Sequence, residues 1–149
     1  MKSTLLAQLS SANDCFGRST AALAEGVYTA AQQVAHAAQT IDWFMEGAFS
    51  PQGFDLDFEA QDRKVREVTS LADARARLSR AVENAQELVN SKSDEEWSQP
   101  LADGPIMGGQ PRAAVFGGIT DHTAHHRGAL TVYSRLLGKT PPNPYIPID

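Results

Sequence analysis

Apolar residues in this chain recur at intervals of three and four, and no stretch alternates apolar and polar for more than a few positions. That rhythm predicts helices rather than strands. Between Thr4 and Glu25, the residues Leu5, Leu6, Leu9, Ala12, Phe16 and Leu23 keep helical spacing, and Gly26 follows as a stop. The stretch "TAAQ" then places Thr29 at an N-cap with Gln32 reaching back to it, a capping box. The helix it opens runs to about Ala48, where "SPQG" ends it. Ser70 caps a third helix, with Leu71, Leu78, Val82, Ala85, Leu88 and Val89 facing inward. Its outer face carries Asp73, Arg77, Arg80, Glu83 and Glu87, some at salt-bridge spacing. A short turn, "SDEEW", is capped by Ser93, and the loop "LADGPIMGGQ" leads to Pro111, suited to the first position of a helix. That last helix ends at Leu137 and Gly138, before the tail "PPNPYIP".

Four long helices joined by one long extended connection, residues 49 to 69, predict an all-α four-helix bundle. At 149 residues the chain reads as one domain, 1–149. The competing architecture is a small α+β domain with a hairpin around Pro105.

Composition narrows the function classes. The chain is 42% hydrophobic and 21% charged, the balance of a globular protein. A net charge of −5 with scattered Lys and Arg argues against a nucleic-acid partner, which leaves a basic patch. No apolar run reaches the roughly 18 residues of a membrane span. The apolar segment near the start, "LLA", is too short for a secretory signal, so a cytoplasmic location is expected. The single cysteine, Cys15, excludes an intramolecular disulfide. It lacks a neighbouring histidine and reads as a small half-buried hydrophobe.

The chemistry concentrates in "ITDHTAHHRGALTVYSRL", which holds three of the four histidines. On a helical wheel, Val115, Ile119, His122, His126, Ala129, Leu130, Tyr133, Leu136 and Leu137 form one stripe roughly 120° wide. His122 and His126 sit in its middle, one turn apart, and His125 at its edge. An inward histidine is ordinarily a neutral ring satisfied by hydrogen bonds. Two at i and i+4 also offer two imidazoles to one divalent ion, and both readings stand for the pair alone. The remaining histidine, His36, lies on a helix with no charge from Gly26 to Ile41. It shares its face with Gln32, Gln33, Thr40 and Trp43, away from the strongest apolar side. Such a face lines a pocket more readily than a packed core.

The stretch "DHTAHHRGALTVYSRLLGKTPPNPY" closely resembles the final helix and tail of the DinB family, the DinB/YfiT-like metalloenzymes. Upstream, "VAHAAQTIDWF" resembles that family's second helix, which carries its first ligand. The order of helices fits along the whole chain. The resemblance implies a four-helix bundle with an open metal site of three histidines: His36, His122 and His126. His125 takes the family's non-ligand histidine position. One departure is that the family commonly has glutamine after "HRG", where this chain has Ala129. Three imidazoles leave a coordination position for water or substrate and suit zinc, nickel, iron or copper, with zinc or nickel favoured. Relatives of this type include thiol transferases using bacillithiol and isomerases using mycothiol, and the family forms homodimers.

A substrate pocket is expected to be edged by Gln32, Trp43, Gly118 and Tyr133. Gly118 reads either as a packing contact or as free space over the metal. Arg127 reads as an anion-binding residue or the partner of a carboxylate such as Asp42. No second catalytic acid or base can be named. The expected function is a metal-dependent enzyme acting on a small-molecule substrate, a thiol-dependent transferase or isomerase that transfers or rearranges a low-molecular-weight thiol adduct. The alternatives are a non-catalytic metal- or ligand-binding bundle of a stress response and an interaction module with a vestigial site.

Overall fold

A computed structural model of the chain describes residues 26–145. The helix expected over Thr4–Glu25, and Cys15 with it, lies outside the described residues. The helices that follow are α1 (Ala30–Phe49), α2 (Phe58–Arg66), α3 (Leu71–Ser91), α4 (Asp94–Ser98) and α5 (Val115–Leu136), the last entered through a 3-10 turn at Arg112–Ala114. Among the described residues no strand forms. The region around Pro105 is a loop, closed by an isolated bridge between Pro100 and Pro111. The α+β alternative is thereby set aside.

Local signals start α1, α3 and α4 where the sequence places them, whereas α5 begins at Val115, after the 3-10 turn that follows Pro111. The Thr29 hydroxyl accepts from the Gln32 amide while the Gln32 side chain accepts from the Thr29 amide. Ser70 caps α3 through the Asp73 amide, and Ser93 and Glu96 form a second capping box on α4. Each satisfies amides that the first helical turn leaves without partners.

α1 is the axis of the described fold, packing most extensively on α3 and then on α5. Its first half carries no charge, and Ala35 and Ala38 there are sealed from solvent; further along, Ile41, Phe44, Met45 and Ala48 join Ala81, Trp97, Leu101 and Val115 in the main core. Ala31, Ala35 and Ala74 make a smaller core near the start of α1. Small side chains on both partners let α1 and α3 approach closely.

Two expectations change. The connection from 49 to 69 is not extended throughout, because α2 occupies its second half. That helix is capped by Asp57, carries a Glu59–Arg63 ion pair at 2.8 Å, and buries Val65 completely. The inward face of α3 is also narrower than predicted. Ala74 and Ala81 are buried and Leu78, Ala85 and Leu88 pack against the core, but Leu71, Val82 and Val89 are 46%, 40% and 38% exposed. Val82 and Val89 instead line an open groove of about 480 Å³ with Ile41, Phe116 and Ile119. No described helix is long and apolar enough to cross a membrane.

Candidate metal centre

His36 projects from α1 and His122 and His126 from α5, and the packing of these helices brings the three rings together. Ring centroids are 4.9 Å apart for His36–His122 and for His36–His126, and 4.4 Å for His122–His126. One nitrogen from each ring lies within 4.8 Å of the others. Nε2 of His122 and Nε2 of His126 face each other at 3.2 Å. The i, i+4 spacing explains this pair, because side chains one turn apart lie one above the other on a helix.

The geometry suits a shared ion. With Zn–N bonds of 2.0–2.1 Å in a tetrahedral site, ligand nitrogens stand about 3.3–3.4 Å apart. The observed Nε2–Nε2 separation of 3.2 Å is close to that edge. Among the described residues, Nδ1 of His36 is buried without a hydrogen-bond partner. An unpaired buried nitrogen is costly, and coordination to an ion relieves such a cost. Among the described residues the cluster holds three imidazoles and no carboxylate or thiolate, a donor set that would suit a borderline ion and leave it a further position.

The rings are held neutral, as ligands must be. Burial pushes His126 down to about 3 and His122 down to about 4, with the neighbouring imidazoles adding to the effect. Burial also lowers His36. His125 is exposed, its ring 5.0 Å from that of His126 and outside the cluster.

Two groups around the rings were not singled out by the sequence. Gln33, buried on α1, places its side-chain oxygen against Nδ1 of His126. The signal for it existed, since Gln33 lies one turn before His36 on the same face. Tyr28, just ahead of the α1 cap, stacks at 5.3 Å from His36. Its hydroxyl donates to Asp62 of α2 at 2.5 Å, and Arg66 holds the other Asp62 oxygen at 2.6 Å while lying over the Tyr28 ring. Burial and the Asp62 carboxylate push the Tyr28 phenol up to about 12, so it stays protonated. Hydrogen bonds from Tyr28 and Arg66 hold Asp62 below the usual carboxylate range. No sequence signal pointed to this group, because it depends on how α2 docks.

The residues expected to edge a pocket are placed unevenly. Gln32 spends its side chain on the capping box and on the carbonyl of Arg66. Trp43 packs on Phe44, Phe54 and Phe58 and donates its indole N–H to the Asp55 carbonyl at 2.7 Å. Beside Gly118 there is no vacant space: a Cβ there would meet the Phe44 ring at 2.5 Å. Its glycine therefore serves close packing of α5 on α1. Tyr133 is half-buried on α5, two turns beyond His126. Arg127 bonds the Tyr145 hydroxyl at 2.8 Å and stacks on its ring, tying the tail to α5, so the pairing expected with Asp42 is replaced.

The family model of the DinB family matches residues 6–149, essentially the whole chain. The chain belongs to the DinB family. Its three-histidine cluster is compatible with a metal-binding DinB protein. Comparison with curated proteins and with solved structures finds no match.

Proposed function

We propose that this DinB-family protein is a metal-dependent enzyme that joins a low-molecular-weight thiol to a small electrophile, with His36, His122 and His126 holding zinc or nickel. The observation that carries the reading is the convergence of three neutral imidazoles from two helices on one point. A divalent ion on three nitrogens supplies an open position that lowers the pKa of a bound thiol or water near neutral pH. Cys15 sits in a sequence without activating neighbours, so the reacting sulfur belongs to a co-substrate. With a halogenated acceptor, the thiol proton leaves to solvent, a sulfur–carbon bond forms, and the carbon–halogen bond breaks with the halide carrying its electron pair. The Tyr28 ring, 5.3 Å from His36, would wall such a pocket on one side, its hydroxyl held by Asp62. Ala129 supplies no polar group where the family commonly has glutamine.

The test is a panel of thiols, each with a halogenated or epoxide acceptor, run with metal-loaded protein and with His122→Ala. The proposal expects conjugation that a chelator abolishes, that added metal restores, and that the variant lacks. If the loaded protein never exceeds the variant, the non-catalytic metal- or ligand-binding bundle becomes the better reading.

The remaining features follow the same reading. The fold is a four-helix bundle in a single domain. The protein acts in the cytoplasm, without nucleic-acid or membrane partners. It pairs as a homodimer: Gly128, with nothing beside it among the described residues, shares an exposed α5 stripe with Val132 and with Leu136, which was expected to face inward, 52% and 78% exposed. A two-fold pair buries such a stripe against its own copy. Sedimentation velocity at tens of micromolar should give the dimer mass, and a monomer would remove this part of the proposal.

A further inference from the structure

We propose that Gln33 is a positioning residue that fixes the tautomer of His126 and so aims a bare Nε2 at the metal. The inference rests on the metal-site reading and extends it to a residue outside the ligand set.

Gln33 is 6% exposed on a helix whose neighbouring buried positions are Ala31, Ala35, Ala37 and Ala38. A buried amide among alanines is unfavourable unless its polar atoms are paired. An apolar side chain would fill the position without that cost, so the hydrogen bond Gln33 makes is informative. Its side-chain oxygen meets Nδ1 of His126, which is itself 7% exposed.

The proton assignment follows from the other side of the ring. A neutral imidazole carries one N–H and one lone pair. Nε2 of His126 faces Nε2 of His122 at 3.2 Å, in the cluster that includes His36. To share an ion there, Nε2 must present its lone pair, and the ring proton must sit on Nδ1. A proton on Nδ1 needs an acceptor, and the Gln33 oxygen is the acceptor placed for it. A reversed amide would donate to Nδ1 and force the proton onto Nε2, between the two rings, where it would exclude the ion. Metal-binding histidines characteristically donate their second ring N–H to a carboxylate, a carbonyl or water, which sets ring orientation and raises basicity. Gln33 performs that role with a neutral group, and α1 thereby supplies both the ligand His36 and the orienter of a ligand on α5.

Three proteins test it: wild type, Gln33→Met and Gln33→Glu. Methionine keeps the length and removes the acceptor, whereas glutamate keeps an acceptor at the same place. Zinc affinity is read by competition with a chromogenic chelator. The ¹⁵N shifts of the His126 ring are read in metal-free wild type. The expectation is that Gln33→Met binds zinc 10–100-fold more weakly, and that Gln33→Glu restores the affinity. In metal-free wild type, His126 should carry its proton on Nδ1. A Gln33→Met protein that binds zinc as tightly as wild type, or an Nε2–H signal for His126 in wild type, overturns the inference. Absence of zinc binding by wild type would instead defeat the metal-site reading. The nitrogen shifts, which need no metal, would still decide the role of Gln33.

Discussion

His122 and His126 titrate far below an ordinary imidazole, at about 4 and about 3, because burial disfavours the charged ring and the neighbouring imidazoles repel a second charge. In the unfolded chain both return to about 6.5. Between that value and the folded values, the unfolded state binds protons that the folded state refuses, so stability rises with pH there. For metal-free protein, the contribution of the rings is fully present above about pH 6.5 and is lost as the pH falls toward 4 and then 3. Urea midpoints measured from pH 8 to pH 4 should be flat down to near 7 and then decline. A His122→Gln, His126→Gln double variant should decline less steeply, which separates the rings from the carboxylates that titrate lower. Equal slopes in the two proteins would mean the rings are not held neutral by the fold. At this scale much of the site is legible, because i, i+4 spacing on an apolar stripe is a local property. Gln33 was legible only as a face-mate of His36, since its partner lies 93 positions away. Gly118 left two readings open until Phe44 was seen to fill the space beside it.

Element boundaries followed the caps closely. Thr29, Ser70 and Ser93 each start a helix, because a side-chain oxygen satisfying a first-turn amide is encoded within four residues. α2 is not legible in the sequence for the opposite reason. Its sequence "FEAQDRKVR" has only Phe58, Ala60 and Val65 as apolar residues among charged and polar neighbours, too few to announce a helix by spacing. Val65 enters the fold, while Asp62 and Arg66 reach Tyr28 and the carbonyl of Gly26. Helices of this kind draw their stability from docking more than from propensity, and docking is invisible to periodicity. The same limit explains α3. A wheel marks Val82 and Val89 as apolar, but whether another element covers them depends on where α1 and α5 lie. Here they border a groove.

For the whole molecule, one helix does two jobs. α1 forms the axis of the core through Ile41, Phe44, Met45 and Ala48, and near its start carries Gln33 and His36 to meet α5. Because α1 packs on both α3 and α5, the histidines from its neighbour are placed by core packing rather than by a loop. A site built on two packed helices is held more firmly than one on connecting segments. That placement brings three imidazoles to one point, where they would share an ion. The direct measurement is metal content after loading with zinc and gel filtration, for wild type and for the single alanine variants of His36, His122, His126 and His125. One ion per chain is expected in wild type and in His125→Ala, with loss of most of it in each of the other three. Metal-free wild type after loading, or full retention by His36→Ala, would contradict it.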